Sequence, residues 1–458
     1  MVAEHGVAEV QPLGVPRGDL AAATIGIERV PDRYRVLGFF DYFVLWADLG
    51  VGLLVLLAGT ALVPGLGFWE AIAAILVGTL IGNVMLGLAG VVGSDNGIPS
   101  MVGLRPSFGQ RGSYLPSLIN VVQLVGWGAF ELVIMAQASS RLTQSVFGVS
   151  SYPIWAIVWA IVVTVLALGG PLVVVRQWLE KAGIWIVLVT GAWMALYVVT
   201  HANFDTLVSR PGDGSLNFAQ GIDLVVAMPI SWLPLIADFN RFAKTSRSSF
   251  WGTVSGFAVS NVLFYTLGVL LILVLPTSDL IGSIMTVAFG TAGLALLLGD
   301  ETDNAFADVY SGAISIKNVL PGLATRVLVA AIGGLCLAIA LTVDLGSFQS
   351  FLYLVGSLFT PLFGVLFADY FVLNRRRYTT QDLYPADGLG RSRGVNPVAL
   401  VAWACGIAAY LAETTYVGWL GGTLPSLAVS LVVYLAASIA SGAMRTAPEP
   451  SIDTSPQA

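Results

Sequence analysis

The chain has 458 residues, of which 56% are hydrophobic and 10% are charged, and its mean hydropathy is +0.84. A soluble domain carries about 25% charged residues, so this composition excludes an ordinary water-soluble protein and indicates a polytopic membrane protein. The formal net charge of −6 says little about partners, because the charges are segregated by compartment, and no basic groove suggests nucleic acid. Cys336 and Cys405 fall in apolar segments and both histidines fall outside them, which favours free thiols and no histidine metal site.

Twelve apolar segments follow one another along the chain, and each is long enough to cross a bilayer as a helix of about 20 residues. The runs are continuous, which favours helices over the alternating strands of a barrel. We predict spans at residues 37–63, 68–92, 116–138, 152–170, 182–200, 218–238, 251–275, 287–312, 323–343, 348–371, 396–415 and 421–442.

The positive charges divide unevenly between the two sides of these segments. Of the 21 Lys and Arg residues, all but Arg141 and Arg210 fall in loops on one side. Cytoplasmic loops retain Lys and Arg during insertion. The sequence therefore predicts a multi-pass protein of the cell membrane with both termini in the cytoplasm, and a first span that is retained because no signal peptide precedes it.

Ten spans followed by two more are compatible with two five-helix repeats inserted in opposite orientations. On this interpretation residues 1–30 form a disordered cytoplasmic tail, 31–200 the first repeat and 201–371 the second, inverted repeat. Residues 372–442 hold an inner loop with helices 11 and 12, and 443–458 form another disordered tail.

In such a core the first span of each repeat is broken, and its freed backbone groups face the substrate. Span 1 has glycines at Gly50 and Gly52, and span 6 has prolines at Pro229 and Pro234 around Ser231. Glycine and proline are also common in intact membrane helices. Their occurrence at equivalent positions of the two halves favours a break in each, with backbone near Gly50 and Ser231 completing the site.

Span 3 places Trp127 and Glu131 on one helix face, four residues apart. Gly126 and Gly128 flank the tryptophan and leave space beside it. An aromatic ring beside a carboxylate suits a flat polar heterocycle, which stacks on the ring and donates its N–H groups to oxygen. The alternative is a packing tryptophan with a glutamate paired to a neighbouring helix.

Span 8 carries four carboxylates, which are costly in a bilayer and usually face a cavity or pathway. Glu301, Asn304 and Asp308 share one face, while Asp300 and Asp303 lie on an adjacent one. Two faces suggest a substrate and a cation. The alternative is a pocket in which some of these acids are protonated and simply hydrogen-bonded. In span 1, Asp48 is a candidate ligand for either molecule or a cap for the half-helix that follows.

Several motifs add a resemblance that covers about residues 30–415. They are the loop GIPSMVGLRPSFGQRG at 97–112, ADFNRFAK at 237–244, Tyr310-Ser311 with Asn318, and PLFG at 361–364 with Asp369-Tyr370-Phe371. Together they resemble the nucleobase:cation symporter-1 family, in particular its purine–cytosine permease branch. The resemblance implies a LeuT-type fold, alternating access, and uptake of a nucleobase or related ring with Na⁺ or H⁺.

The resemblance also implies roles for single residues. Trp127 would stack on the ring and Glu131 would hydrogen-bond it, although the family's hydantoin transporter has glutamine at the second position. Asp308 corresponds to a substrate-binding asparagine. Thr302 and Asp303 correspond to a Na⁺-ligating Ser/Thr pair, and a carboxylate there makes proton coupling plausible. The family also has an aromatic residue in span 6. Trp232 is the only tryptophan near that position, whereas strict spacing from Asp238 places Pro229 there.

We therefore predict an all-α secondary transporter with twelve transmembrane helices that imports cytosine or a purine by cation symport. The predicted substrate-binding residues are Trp127, Glu131, Asp308, Ser231, Trp232, Asp48 and Gly50, and the predicted cation-coupling residues are Thr302, Asp303 and Gly299. No enzyme activity, obligate protein partner or cofactor is expected beyond the coupling ion, with Na⁺ possible at Thr302 and Asp303. The alternatives are an importer of another heterocycle (allantoin, hydantoin, uracil or a thiamine-precursor pyrimidine) and an ion channel.

Overall fold

The computed structural model describes residues 25–169, 183–275, 279–386 and 394–441. The regular elements in these ranges are helices. The main ones are α1 (Phe39–Asp48), α2 (Leu53–Thr60), α3 (Phe68–Asn96), α4 (Tyr114–Phe147), α5 (Tyr152–Gly169), α6 (Gly183–His201), α7 (Phe218–Ser231), α8 (Ile236–Asn240), α9 (Ser246–Val274), α10 (Gly290–Val319), α11 (Thr325–Ala340), α12 (Phe348–Phe367), α13 (Pro397–Ala412) and α14 (Thr423–Ala440). Short helices lie at Ser100–Gly103, Arg105–Phe108, Phe204–Ser209, Leu280–Thr286 and Thr380–Leu383.

Helices occupy each of the twelve apolar segments, which confirms an all-α polytopic membrane protein. In the part of the chain that is described, eight helices are long and apolar enough to cross a bilayer alone, and α1 with α2 makes a ninth as a bent pair. Helices α7 and α11 are shorter, and α10 carries four carboxylates. The count of twelve crossings therefore stays a prediction.

The first span is broken, as its glycines predict. Helix α1 ends at Asp48, α2 begins at Leu53, and the two axes differ by 62°. Helix α9 packs against both α1 and α2, and its backbone comes close to theirs. A Cβ atom on Gly256 would lie 2.3 Å from the Phe43 carbonyl oxygen of α1, and one on Gly268 would lie 2.2 Å from the Leu56 carbonyl oxygen of α2. Small residues at these crossings let the helix backbones touch.

The sixth span is interrupted in the same way. Helix α7 ends at Ser231, and a turn connects it to the short helix α8. Pro229 inside α7 removes a backbone donor from the last turn. Its ring packs against α3, where a Cβ on Gly82 would lie 2.2 Å from the Pro229 Cγ. This contact gives the proline a packing role beside its role as a helix breaker.

Two buried arginines connect the loops that carry the sequence motifs at one end of the bundle. The Arg105 Nε donates to Asn318 Oδ1 at 2.8 Å, and its Nη1 donates to the Leu383 carbonyl at 3.0 Å. Arg241 is fully buried and donates to the carbonyl of Gly26 at 2.6 Å. The motif residues singled out in the sequence therefore build the scaffold at this end.

Part of the predicted N-terminal tail is ordered. Residues 25–30 lie across the arginine end of the bundle, where Arg241 also donates to the Ile25 carbonyl and the Val30 N–H donates to Gly97 at 2.7 Å. The tail of 1–30 is therefore corrected at its end, because these backbone groups are paired. Residues 1–24 and the predicted tail 443–458 fall outside the described residues, as do Arg17, Arg176, Lys181, Arg391, Arg393 and Arg445.

Replacing Gly256 with alanine should destabilise the fold. The new Cβ would meet the rigid Phe43 carbonyl at 2.3 Å, and overpacking of this kind costs about 1–3 kcal/mol. Gly334→Ala is the matched control, since this helical glycine has no neighbouring atom within 4 Å. Melting of the purified protein in detergent should occur at a lower temperature for Gly256→Ala and not for the control. Equal melting temperatures would contradict the close packing of α9 on the broken span.

Candidate functional site

A narrow cavity lies where the two broken spans meet α4 and α10. Five residues that the sequence predicts as substrate ligands line it together: Trp127, Glu131, Ser231, Trp232 and Asp308. The other lining residues are Leu49, Gly52, Leu54, Val55, Met228, Leu235, Glu301 and Asn304. Acidic and aromatic groups from separate parts of the chain thus converge on one space between the two halves.

Helix α4 supplies the aromatic wall of this cavity. Trp127 is buried and held edge-on by two aromatic rings of α12, Phe348 at 5.6 Å and Phe351 at 5.3 Å between ring centroids. The flanking glycines do not leave open space for a ligand. A Cβ on Gly126 would lie 2.7 Å from the Phe351 ring, and one on Gly128 would lie 2.8 Å from a cysteine sulfur of α11. Both glycines serve helix packing that fixes the orientation of the tryptophan.

Helix α10 holds the break in the first span with two side chains. The Glu301 carboxylate accepts a hydrogen bond from the Leu53 N–H at 2.7 Å, at the start of α2. Asn304 Nδ2 donates to the Val51 carbonyl at 2.8 Å. Gly52 lies between these contacts, and a Cβ there would be 3.1 Å from Asn304 Nδ2 and 3.3 Å from the Glu301 carboxylate. An added Cβ would push these side chains back by a few tenths of an ångström, so the glycine lets α10 approach the break this closely.

Helix α4 holds the break in the sixth span in the same manner. Gln123 Nε2 donates to the Ser231 carbonyl at 2.8 Å, at the end of α7. Asn120 Nδ2 donates to Ser315 Oγ of α10 at 2.9 Å and lies 3.5 Å from the Pro234 carbonyl. The Ser231 hydroxyl donates to the Met228 carbonyl at 2.6 Å. Ser231 thus lines the cavity with its polar groups already bonded within the protein.

Four polar atoms of lining residues are buried with no hydrogen-bond partner in the described part of the chain. They are Trp127 Nε1, Glu131 Oε2, Glu301 Oε1 and Asn304 Oδ1. An unpaired buried donor or acceptor costs about 1–3 kcal/mol. A small polar ring that offered both N–H groups and acceptors would satisfy several of them. The cavity therefore has the chemistry of a site for a flat polar ligand.

Trp232 is the aromatic residue of the span 6 break that reaches the cavity. Its ring meets Trp46 of α1 edge-to-face at 5.7 Å between centroids. Trp46 Nε1 in turn donates to Asn240 Oδ1 at 3.0 Å. Pro229, the alternative from strict motif spacing, packs on α3 and is absent from the cavity wall that the described residues form.

Asp48 belongs to a second cavity, next to α6. Asp300, Asp303 and Gly299 line this space with it, so three carboxyl groups face one cavity. Of the predicted cation residues, Thr302 lines neither cavity, and its Oγ1 donates to the Gly299 carbonyl at 2.6 Å. The two faces of α10 recognised in the sequence thus serve two separate cavities.

Gly50 lines neither cavity. A Cβ there would lie 3.1 Å from the Ser260 Cβ and 3.2 Å from the Phe257 carbonyl oxygen. The Ser260 hydroxyl also donates to the Ala47 carbonyl of α1. The glycine therefore lets α9 approach the end of α1, and its role is in packing.

Two broken spans, each held by a helix of the other half, define a transporter of the LeuT fold. A family model described as "Permease for cytosine/purines, uracil, thiamine, allantoin" matches residues 29–434. The chain belongs to this family of membrane permeases, and it is a transporter rather than an enzyme.

Individual relatives agree with this assignment. The chain is 23% identical over 416 residues to the hydantoin permease of Microbacterium maritypicum, covering 85% of this chain and 84% of the relative. It is 28% identical over 397 residues to the cytosine permease of Escherichia coli K12, covering 81% and 83%. The structure of Mhp1, a nucleobase-cation-symport-1 family transporter in a closed conformation with bromovinylhydantoin bound, superposes with a TM-score of 0.79 at 21% identity, covering 90% and 94%. This similarity confirms the fold.

Sequence reasoning placed Glu301 and Asn304 on the face shared with Asp308 but assigned them no role. Their spacing of three and seven residues was the available signal. Gln123 and Asn120 were missed, because amides in an apolar helix have no distinguishing pattern until their backbone partners are known.

Replacing Gly52 with alanine should weaken the α10 contacts. The added Cβ would crowd the Asn304 amide and the Glu301 carboxylate, and loss of a buried hydrogen bond costs about 1–3 kcal/mol. We expect a lower melting temperature and weaker ligand binding, each measured by thermal shift, whereas Gly334→Ala should leave both unchanged. A Gly52→Ala protein with the wild-type melting temperature and ligand shift would contradict the tight fit of α10 at this break.

Proposed function

We propose that this transporter imports a nucleobase, cytosine or a purine, and that the ring binds in the cavity between the broken spans. The observation that carries this proposal is the convergence of Trp127 and Glu131 of α4 with Asn304 and Asp308 of α10 on one cavity. The relatives named for cytosine and hydantoin transport support the class of substrate, since both are flat rings with adjacent N–H and C=O groups.

In the proposed complex the ring stacks on Trp127, and its N–H groups donate to Glu131 and Asp308. All three side chains are at most 5% exposed, so these hydrogen bonds form away from bulk water, where charged partners are strongest. Trp232 closes the cavity from the span 6 side. Asp48 and Gly50, predicted as substrate ligands, are left outside this proposal because they do not line the cavity.

The coupling cation, Na⁺ or H⁺, is proposed to act at the acidic cavity formed by Asp48, Asp300, Asp303 and Gly299. Closely spaced carboxyl groups raise one another's affinity for a proton, and three of them line this cavity, which supports H⁺. Asp48 comes directly before the span 1 break and Asp303 lies on the helix that holds it, so a cation here would bias the same moving parts as the substrate.

The orientation follows from the positive charges. We propose that the end of the bundle with Arg105, Arg241 and Arg376 faces the cytoplasm, with both termini. Arg141, one of the two exceptions, forms an ion pair with Asp279 at 2.9 Å. The repeat boundaries 31–200 and 201–371 belong to the same proposal, which the reciprocal contacts of α4 and α10 support.

Uptake measurements test the substrate. In a host lacking its own permeases, wild-type protein should accumulate radiolabelled cytosine, adenine or hypoxanthine. Trp127→Ala should weaken binding by roughly 5- to 140-fold, since base stacking contributes about 1–3 kcal/mol. Trp251→Ala is the control, because this tryptophan is 53% exposed and lies outside the cavity. If none of the three bases is transported and hydantoin, allantoin or uracil is taken up instead, the proposed substrate is wrong and that ring takes its place.

Replacing Asp303 with asparagine should uncouple transport from its cation. The variant removes one carboxyl from the acidic cavity but leaves the substrate cavity intact, so binding should persist while accumulation against a gradient is lost. Asp205→Asn, at an exposed acid, is the control. Proton coupling predicts uptake that does not need Na⁺ and that a protonophore abolishes. Na⁺ coupling predicts uptake that needs Na⁺ and persists with the protonophore. Full accumulation by Asp303→Asn would remove this cavity from the mechanism.

A further inference from the structure

Glu301 contacts both the substrate cavity and the broken first span. One oxygen of its carboxyl group accepts from the Leu53 N–H, and the group lines the same narrow cavity as the Glu131 carboxyl, with which it can share a proton. The remaining oxygen, Oε1, is buried without a donor from the described protein groups, as is Glu131 Oε2. The side chain is fully buried, so water does not compete for these contacts.

The Leu53 amide is a sensitive position for such a contact. It is the first N–H of α2, and the first N–H groups of a helix have no acceptor within the helix. Inside a membrane protein an unpaired amide is costly, so its acceptor influences where the half-helix begins and how firmly it is held. Glu301 provides that acceptor from a different helix.

We propose that Glu301 is a positioning residue that transmits occupancy of the substrate cavity to the break in the first span. This inference rests on the proposed function for the identity of the occupant. A ring that donates an N–H to Glu131 competes with Glu301 for that carboxyl, and the freed Glu301 carboxyl then bonds the start of α2 more strongly. The path runs through three side-chain and backbone groups: Glu131, Glu301 and the Leu53 amide.

Two features make this contact suited to coupling. Asn304 holds the other side of the same break at the Val51 carbonyl, so α10 holds the break from both sides. The charged and titratable groups facing the pair are the acids Asp300 and Asp308 of α10. Because these neighbours are acids, the two glutamates remain close to each other only when they share a proton.

Residue-level hydrogen exchange of the Leu53 and Leu54 amides tests the path in the ligand-free protein. Glu301→Leu should speed exchange roughly tenfold, while Glu301→Gln should stay near wild type because glutamine keeps both an acceptor and a partner for Glu131. Glu131→Ala should alter exchange at these amides although residue 131 does not bond them. Ser139→Ala, elsewhere on α4, and Gln123→Leu, at the other break, should not. Unchanged exchange in Glu131→Ala would overturn the proposal.

Saturating cytosine, adenine or hypoxanthine provides the second arm. A bound base should slow exchange at Leu53 and Leu54 in wild type and in Glu301→Gln, and should have no such effect in Glu301→Leu. An equal response in Glu301→Leu, or none in Glu301→Gln, would show that the path does not run through this residue. If none of the bases binds to wild type, the proposed substrate fails, while the ligand-free arm still decides whether Glu301 links the cavity to the break.

Discussion

Breaking a helix inside a bilayer leaves backbone N–H and C=O groups that lipid cannot pair, and the organisation of this protein depends on how those groups are satisfied. At both breaks, polar side chains from another helix bond the freed backbone groups. Glu301 and Asn304 of α10 pair the backbone at the span 1 break, and Gln123 of α4 pairs it at the span 6 break. Each of these helices belongs to the half of the protein opposite the break that it holds.

This reciprocal pairing places the candidate substrate site. The cavity lies between α4 and α10, so a ring that binds Trp127 and Glu131 on one side meets Asn304 and Asp308 on the other. The residues proposed to bind the ligand are thus within about two helical turns of those that hold the breaks. A ligand can then shift the equilibrium between conformations only through its different contacts in each, and these neighbouring groups are where such differences arise.

Much of this was predictable from single residues whose cost in a membrane is high. Acids at 300, 301, 303 and 308 in an apolar run required a cavity or a pathway, and their spacing separated two helix faces. In the structure one face lines the cavity between the broken spans and the other lines the acidic cavity with Asp48. The breaks were predictable because glycine and proline weaken a helix wherever it folds. Neither the partners of the freed backbone groups nor the packing role of Gly126 and Gly128 followed, because both depend on which helices cross there.

The sequence by itself determined the membrane class, the positions of the helical segments and the identity of the costly polar residues, since these follow from local hydropathy and from the energetics of burying charge. Tertiary structure alone decided which polar groups meet. Glu131 and Glu301 are 170 residues apart, Glu301 and Leu53 are 248 apart, and no local pattern specifies such contacts. Long-range packing also decided that Asp48 joins the acidic cavity and that Gly50 contacts α9, because a side chain's neighbours are set by the crossing of whole helices.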